Sequence, residues 1–324
     1  MNVKQRICQR LEGAEHPILI CHISPDGDAL GAMLGLAIAL HKLGKGADAV
    51  CQDPVPAEYA YLPGADRVLA QPGDGYDLVV SLDCSDLRRM GAPYQHLSAG
   101  GKSPPIVNID HHVTNLNFGA INWVDVVAVA TAEMILELVE MMGVSLDVDL
   151  ATCLLTGIVA DTRGFRTANT SAKVMAAVTR LMEAGANLAR ISDHVFSHRP
   201  LAAVRLWEQA FSETYLDGRI LWSAITRGMR ARSNYELDGN AGLVSFLSDV
   251  SEADIAVVFT EKDNGEIDVS MRANPGLDVS QVALSLGGGG HPQAAGCTLR
   301  TTLQEAVNTV LSDLQAAWRE QTGQ

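Results

Sequence analysis

Acidic and imidazole side chains gather at a few places in this chain, each place following an apolar run. His22, Asp26 and Asp28 lie in HISPDGD, the first of them near the end of the apolar run PILICHI, one residue before its close. Asp83 ends DLVVSLD, and Asp110, His111 and His112 end PIVNIDHH. Asp161 closes the helical stretch that ends GIVAD. Carboxylates plus imidazoles, with no thiolate among them, suit Mn²⁺, Mg²⁺, Fe²⁺ or Co²⁺ better than structural zinc. Carboxylates crowded together repel one another unless cations neutralise them. Two ions about 3.5–4 Å apart, sharing a carboxylate, would relieve that repulsion, lower the pKa of a bridging water and clamp the oxygens of a phosphoryl group. Taken singly, each residue has a plainer use. Asp28 could cap a helix, Asp83 could be a turn residue like Asp86 beside it, His111 and His112 could be surface residues, and Asp161 could cap a loop. Their succession at the ends of regular elements is what argues for one shared site.

Those ends depend on the elements before them. Residues 3–12 read as a helix, 17–23 as a buried strand and 28–43 as a helix closed by Gly44. Strands follow at 77–83 and 105–110, then helices at 131–142, 149–160 and 171–184. This alternation predicts an α/β fold with a doubly wound, mostly parallel sheet, whose ligands gather at the carboxyl ends of the strands. A helical connector at 186–215, interrupted at Pro200, separates residues 1–185 from a smaller α/β domain at 216–324. In that domain 219–226, 254–261, 266–272 and 295–299 read as strands, the middle two joined by KDNGE with its Asn-Gly turn. Residues 278–286 and 302–319 read as helices, with the glycines of 287–290 between them as a loop.

Composition narrows the function classes. A chain of 324 residues with 47% apolar and 19% charged side chains supports two ordinary domains and is not a disordered chain. No apolar run reaches about 18 residues, so a membrane span is not expected. The polar N-terminal segment lacks the apolar core of a secretory signal. The six cysteines form no CxxC pair, which disfavours a zinc finger and suggests reduced, mostly buried thiols in a cytoplasmic protein. With 24 Lys+Arg against 38 Asp+Glu the formal charge is −14. Bulk electrostatics therefore does not draw in a long polyanion, and short nucleic-acid pieces are more plausible ligands than duplex tracts.

HISPDGD at 22–28, SLDCSD at 81–86, NIDHH at 108–112 and GIVADT at 157–162 resemble the four motifs of the DHH phosphoesterase superfamily. GGGGHPQAAG at 287–296 resembles the signature of the DHHA1 domain found in one branch of it. The resemblance covers nearly the whole chain, and length and domain order are most similar to the oligoribonuclease and pAp-phosphatase type. It implies that His22, Asp26 and Asp83 hold a first divalent cation, most readily Mn²⁺. It implies that Asp28, Asp83, His111 and Asp161 hold a second, with Asp83 bridging. Asp110 would orient a histidine or support the strand end, and His112 would face the scissile phosphate. The similar proteins suggest a homodimer.

In the C-terminal domain, Gly288, Gly289 and Gly290 would let backbone approach a ligand and offer N–H groups to an anion, and His291 adds a donor. Arg272 ends the strand IDVSMR, and its planar fork suits a terminal phosphate. The glycines could equally make only a turn, and Arg272 could be a solvated strand end. The run lacks the Lys-Ser/Thr of a P-loop, which disfavours a nucleotide triphosphatase. Arg163 stands where many relatives carry glycine; it and Arg166 are open to a phosphate-binding or a solvated-loop reading. The leading expectation is a phosphoesterase that cleaves short RNA to mononucleotides, or pAp to AMP. The alternatives are a linear or cyclic dinucleotide phosphodiesterase and, in another class, a non-catalytic nucleotide sensor. An inorganic pyrophosphatase should lack GGGGHPQAAG, and a RecJ-like exonuclease would need an added domain.

Overall fold

The computed structural model describes residues 1–99, 103–197, 199–237 and 239–323. The chain forms two compact units, Met1–His198 and Arg199–Gln324, the division falling within the stretch expected as a connector.

The first unit runs α1 (Val3–Gly13), β1 (Pro17–Cys21), α2 (Gly27–Lys42), β2 (Asp48–Val50), β3 (Leu78–Leu82), α3 (Gly91–Ser98), β4 (Ile106–Asp110) and β5 (Ile121–Val124). Four helices complete it: α4 (Thr131–Met141), α5 (Val148–Asp161), α6 (Ala172–Glu183) and α7 (Leu188–Phe196). All strand pairs are parallel, in the order β2-β1-β3-β4-β5, so the doubly wound sheet expected from the sequence is present. Every residue of β1, β3 and β4 is buried, because both sheet faces are covered. Alternate side chains of β1 divide between two cores. Leu19 and Cys21 join the residues of α1, α2, α4 and α5, while Ile18 and Ile20 pack with Met90, Tyr94 and Leu97 on the other face. Strands β2 and β5 were not expected: β2 is three residues long, and Trp123 is the one buried residue of β5, so neither leaves a readable pattern.

Helices α2 and α5 meet along a seam of glycines. A Cβ on Gly31 would stand 2.4 Å from the Cys153 carbonyl oxygen, and one on Gly35 would stand 2.6 Å from Leu154. A Cβ on Gly157 would stand 2.7 Å from Asp28 Oδ1. Backbone therefore approaches backbone, which lets the first turn of α2 lie beside the last turn of α5.

The second unit begins with α8 (Leu201–Ser212), β6 (Thr214–Asp217), β7 (Ile220–Ile225), α9 (Arg227–Ser233) and α10 (Leu243–Leu247). It continues with β8 (Ile255–Glu261), β9 (Ile267–Ala273), α11 (Ser280–Ser285), β10 (Gly289–His291), β11 (Ala294–Leu299) and α12 (Leu303–Thr322). Among the described residues its six strands are ordered β10-β11-β9-β8-β7-β6, with only β7–β8 parallel. The Asn-Gly turn closes between β8 and β9, with Gly265 at φ 85° and Lys262 N donating to Glu266 O at 2.8 Å. Residues of α12 cover one face and those of α8 and α10 the other. Part of the glycine run, read as loop, is the edge strand β10; without side chains it carries no strand period to recognise. Among the described residues no helix is long and apolar enough to cross a membrane.

Gly31→Ala places a methyl against a carbonyl that belongs to a helix and cannot turn aside. It should lower stability by about 1–3 kcal/mol, read as a reduced midpoint in urea unfolding with an unchanged slope.

Candidate metal centre

The parallel sheet brings the ends of β1, β3 and β4 to one edge, and the residues that follow them carry the charge. His22 follows β1. Its Nδ1 donates to Ile23 O at 2.8 Å, which turns Nε2 toward Asp83 Oδ2 at 3.4 Å and Asp26 Oδ1 at 3.8 Å. Asp26 also caps α2, accepting from the amides of Asp28 and Ala29 at 3.0 Å each. Asp28 is fully buried in the first turn of α2. It caps not its own helix but α4, accepting from Thr131 N at 2.6 Å and Ala132 N at 2.8 Å.

Asp83 follows β3 with φ 61°, and Ser24, two residues beyond His22, has φ 53°. Left-handed backbone at non-glycine residues is strained, and here it redirects the chain at two strand ends. His111 follows β4. Its Nδ1 donates to Ala128 O at 3.2 Å. Its Nε2 lies 3.5 Å from Asp28 Oδ2, 3.5 Å from Asp83 Oδ1 and 3.1 Å from Asp161 Oδ2. Asp83 thus presents one oxygen to His22 and the other to His111.

Asp110 ends β4 and is fully buried. Its Oδ1 accepts from His111 N at 2.8 Å, His112 N at 3.2 Å and His112 Nδ1 at 2.7 Å. Its Oδ2 accepts from Asn115 Nδ2 at 2.5 Å. Asp110 therefore orients His112, and Asn115 orients Asp110. Asn115 Oδ1 in turn accepts from buried Asn108, whose amide also reaches Asn122. Sequence reasoning missed this chain of amides and missed Thr131, whose Oγ1 donates to Asp83 Oδ1 at 2.9 Å. An Asn or Thr outside a cap carries no local signal of such a role.

The electrostatics follow from burying anions together. Burial pushes Asp28 well above the usual carboxylate range, and Asp83 and Asp161 push it further. Burial likewise raises Asp161. Burial opposes ionisation of Asp83 too, yet His22, His112 and His111 outweigh it and hold Asp83 far below the usual range. Burial opposes the charged form of His111, but Asp161, Asp83 and Asp28 raise it well above the ordinary imidazole value.

The donors fit divalent cations. Ligand atoms of His22, Asp26 and Asp83 lie within 4.8 Å of one another, as do those of Asp28, Asp83 and His111. Donors around an ion with bonds of about 2.1 Å are about 3.0–3.4 Å apart, close to the separations here. Asp161 reaches the second group through His111 Nε2. A third group, Asp83, Asp110 and His112, is equally compact, but Asp110 is already committed to four hydrogen bonds.

In the second unit Arg272 pairs with Ala294, which pairs with His291, so the two residues share one row on one sheet face, about 10 Å apart across three strands. The Arg272 guanidinium also donates to Met271 O at 2.9 Å. The glycines first serve the sheet: a Cβ on Gly288 would stand 2.0 Å from Gly296 O, and Gly290 adopts φ 139°. Gly289 lies between them in β10. Arg163 is half-buried at φ 51°, and Arg166 is exposed.

The DHH family N-terminal domain matches residues 17–158, and the DHHA1 domain matches residues 223–320. The chain belongs to the family of DHH phosphoesterases that carry a DHHA1 domain. A Thermus thermophilus protein named bifunctional oligoribonuclease and PAP phosphatase NrnA is 34% identical to it, across 94% of this chain and 91% of that protein. The crystal structure of an exopolyphosphatase-related protein from Bacteroides fragilis, 22% identical, has a TM-score of 0.86 over 99% of this chain and 97% of that one. RecJ from Thermus thermophilus, in complex with Mn²⁺, has a TM-score of 0.56 at 13% identity, over 98% of this chain and 55% of that one. The two structures share the fold.

Cation binding to this cluster must displace protons, because Asp28, Asp161 and the histidines all hold them above their ordinary pKa values. Affinity should therefore fall as pH is lowered from about 8 to about 6, read by Mn²⁺ titration calorimetry at each pH. Saturating Mn²⁺ at about 100 times its Kd should raise unfolding free energy by about 2.7 kcal/mol for each ion taken up, relative to the EDTA-treated protein, and Asp83→Asn should remove most of that gain.

Proposed function

We propose that the chain is a two-cation phosphoesterase acting on short nucleotides: oligoribonucleotides cleaved to mononucleotides, and pAp cleaved to AMP and phosphate. The observation that carries this reading is the position of Asp83, with Oδ2 toward His22 at 3.4 Å and Oδ1 toward His111 at 3.5 Å. His22, Asp26 and Asp83 would hold one ion, and Asp28, Asp83, His111 and Asp161 the other. Bound there, a pair of divalent cations supplies a lowered pKa for water and positive charge for phosphoryl oxygens. The RecJ fold neighbour was solved with Mn²⁺, which supports Mn²⁺ as the ion to test first.

The remaining steps fall to side chains. His112 commits Nδ1 to Asp110, so proton exchange with the leaving oxygen falls to Nε2. Burial opposes its imidazolium, but Asp110 and Asp83 outweigh that and raise it above the ordinary imidazole value, which favours it as the proton donor. Arg272, His291 and the amides of Gly288, Gly289 and Gly290 would hold a terminal phosphate. The substrate class follows the relative's name, and the net charge of −14 agrees with short rather than long chains.

The test is a substrate panel with Mn²⁺: pAp, a 5′-labelled RNA dinucleotide and a cyclic dinucleotide. Phosphate from pAp and mononucleotide from RNA support the reading; turnover of the cyclic dinucleotide alone, or binding without turnover, overturns it. Asp83→Ala should fall below about a thousandth of the wild-type rate, since it removes a ligand from both ions. Arg272→Ala should raise KM about 10- to 100-fold for substrates with a terminal phosphate, leaving kcat nearly unchanged, as expected for a charged hydrogen bond of about 1.5–3 kcal/mol. An unchanged KM would remove Arg272 from the site.

A further inference from the structure

Thr131 is the first residue of α4, and its side chain is completely buried. A threonine one position earlier, at the N-cap, would serve its own helix by bonding an amide of the first turn. This one does not. The preceding Ala130 offers no side-chain cap, and Glu133 Oε2 takes the Val129 amide at 3.0 Å. The Thr131 hydroxyl instead donates to Asp83 Oδ1 at 2.9 Å, and its amide donates to Asp28 Oδ2 at 2.6 Å. One residue thus binds a carboxylate from the first turn of α2 and another from the end of β3, 103 and 48 positions away in the chain.

These bonds constrain the atoms that matter most. The last torsion of an aspartate is broad and nearly two-fold, so nothing intrinsic decides which oxygen faces which neighbour. A hydroxyl donor fixed on Oδ1 does decide it: Oδ1 stays toward His111, and Oδ2 stays toward His22. It uses one lone pair of Oδ1 and leaves the other. The amide of the same residue holds Asp28 Oδ2 on the His111 side of the cluster.

We infer that Thr131 is a positioning residue for the cation pair, fixing the rotation of the shared carboxylate Asp83 so that each oxygen serves a different ion. This rests on the two-cation reading of the site. It acts through Asp83 and touches no substrate. Losing such a hydrogen bond to a ligand weakens metal binding by about 10- to 100-fold.

The test uses the full chain, with Mn²⁺ alone as the probe. Thr131→Val keeps the branched shape and removes the hydroxyl; Thr131→Ser keeps the hydroxyl; Thr131→Ala removes both. Melting in EDTA reads the fold, and Mn²⁺ isotherms with electron paramagnetic resonance read the site. Thr131→Val should melt like wild type in EDTA, bind the second Mn²⁺ about 10- to 100-fold more weakly and lose the spin-coupled signal at equal loading, while Thr131→Ser stays within about threefold of wild type. A wild-type isotherm and signal in Thr131→Val overturns the inference while leaving the two-cation reading intact. A wild-type chain that does not take up two Mn²⁺ overturns the two-cation reading, and the inference with it. If Thr131→Val melts early, Ser against Ala decides: Ser binding like wild type with Ala about tenfold weaker supports the inference, and equal binding by the two overturns it.

Discussion

Negative charge taken out of water is the constraint around which the first unit is arranged. Asp28, Asp83 and Asp110 are all at least nine-tenths buried, and Asp161 is largely so, all within one corner of the fold. Burial disfavours every one of these carboxylates, and each is held by something specific. Asp110 has four donors, Asp28 has the first amides of α4, and Asp83 has Thr131 and the imidazoles around it. The protein thus satisfies its anions partly with hydrogen bonds and partly with imidazoles that also suit a metal, and the remaining demand is for cations.

The fold supports that concentration in two ways. A wholly parallel sheet points all its carboxyl ends the same way, so residues far apart in the chain arrive at one edge without long loops. The glycine seam between α2 and α5 then brings a fourth carboxylate-bearing segment alongside. Gly157 belongs to the same motif as Asp161 and leaves the space that Asp28 fills. A glycine that looks like part of a signature is there because a methyl would collide with the buried carboxylate of Asp28.

The sequence made the long elements legible because their apolar runs are continuous, as in β1 and β3, or strictly alternating, as in β9. It made the charged cluster legible because its members either close such an element or, as Asp26 and Asp28 do for α2, open one. What it hid were relations across the chain. Asp28 reads as a cap for α2 but caps α4, an exchange no local pattern encodes. Asn108, Asn115 and Asn122 form a part-buried amide chain from three separate segments. The glycine run reads as a loop because glycine carries no period, yet part of it pairs as β10 with close backbone approach that only glycine permits.

The borrowed cap on α4 has a consequence for observation. The amides of Thr131 and Ala132 donate directly to Asp28, so their proton resonances report the ionisation of a carboxyl that solvent cannot reach. In a nuclear magnetic resonance spectrum, two backbone signals at the start of a helix would act as an internal indicator for the cluster, reading its charge state without any chromophore, bound nucleotide or turnover.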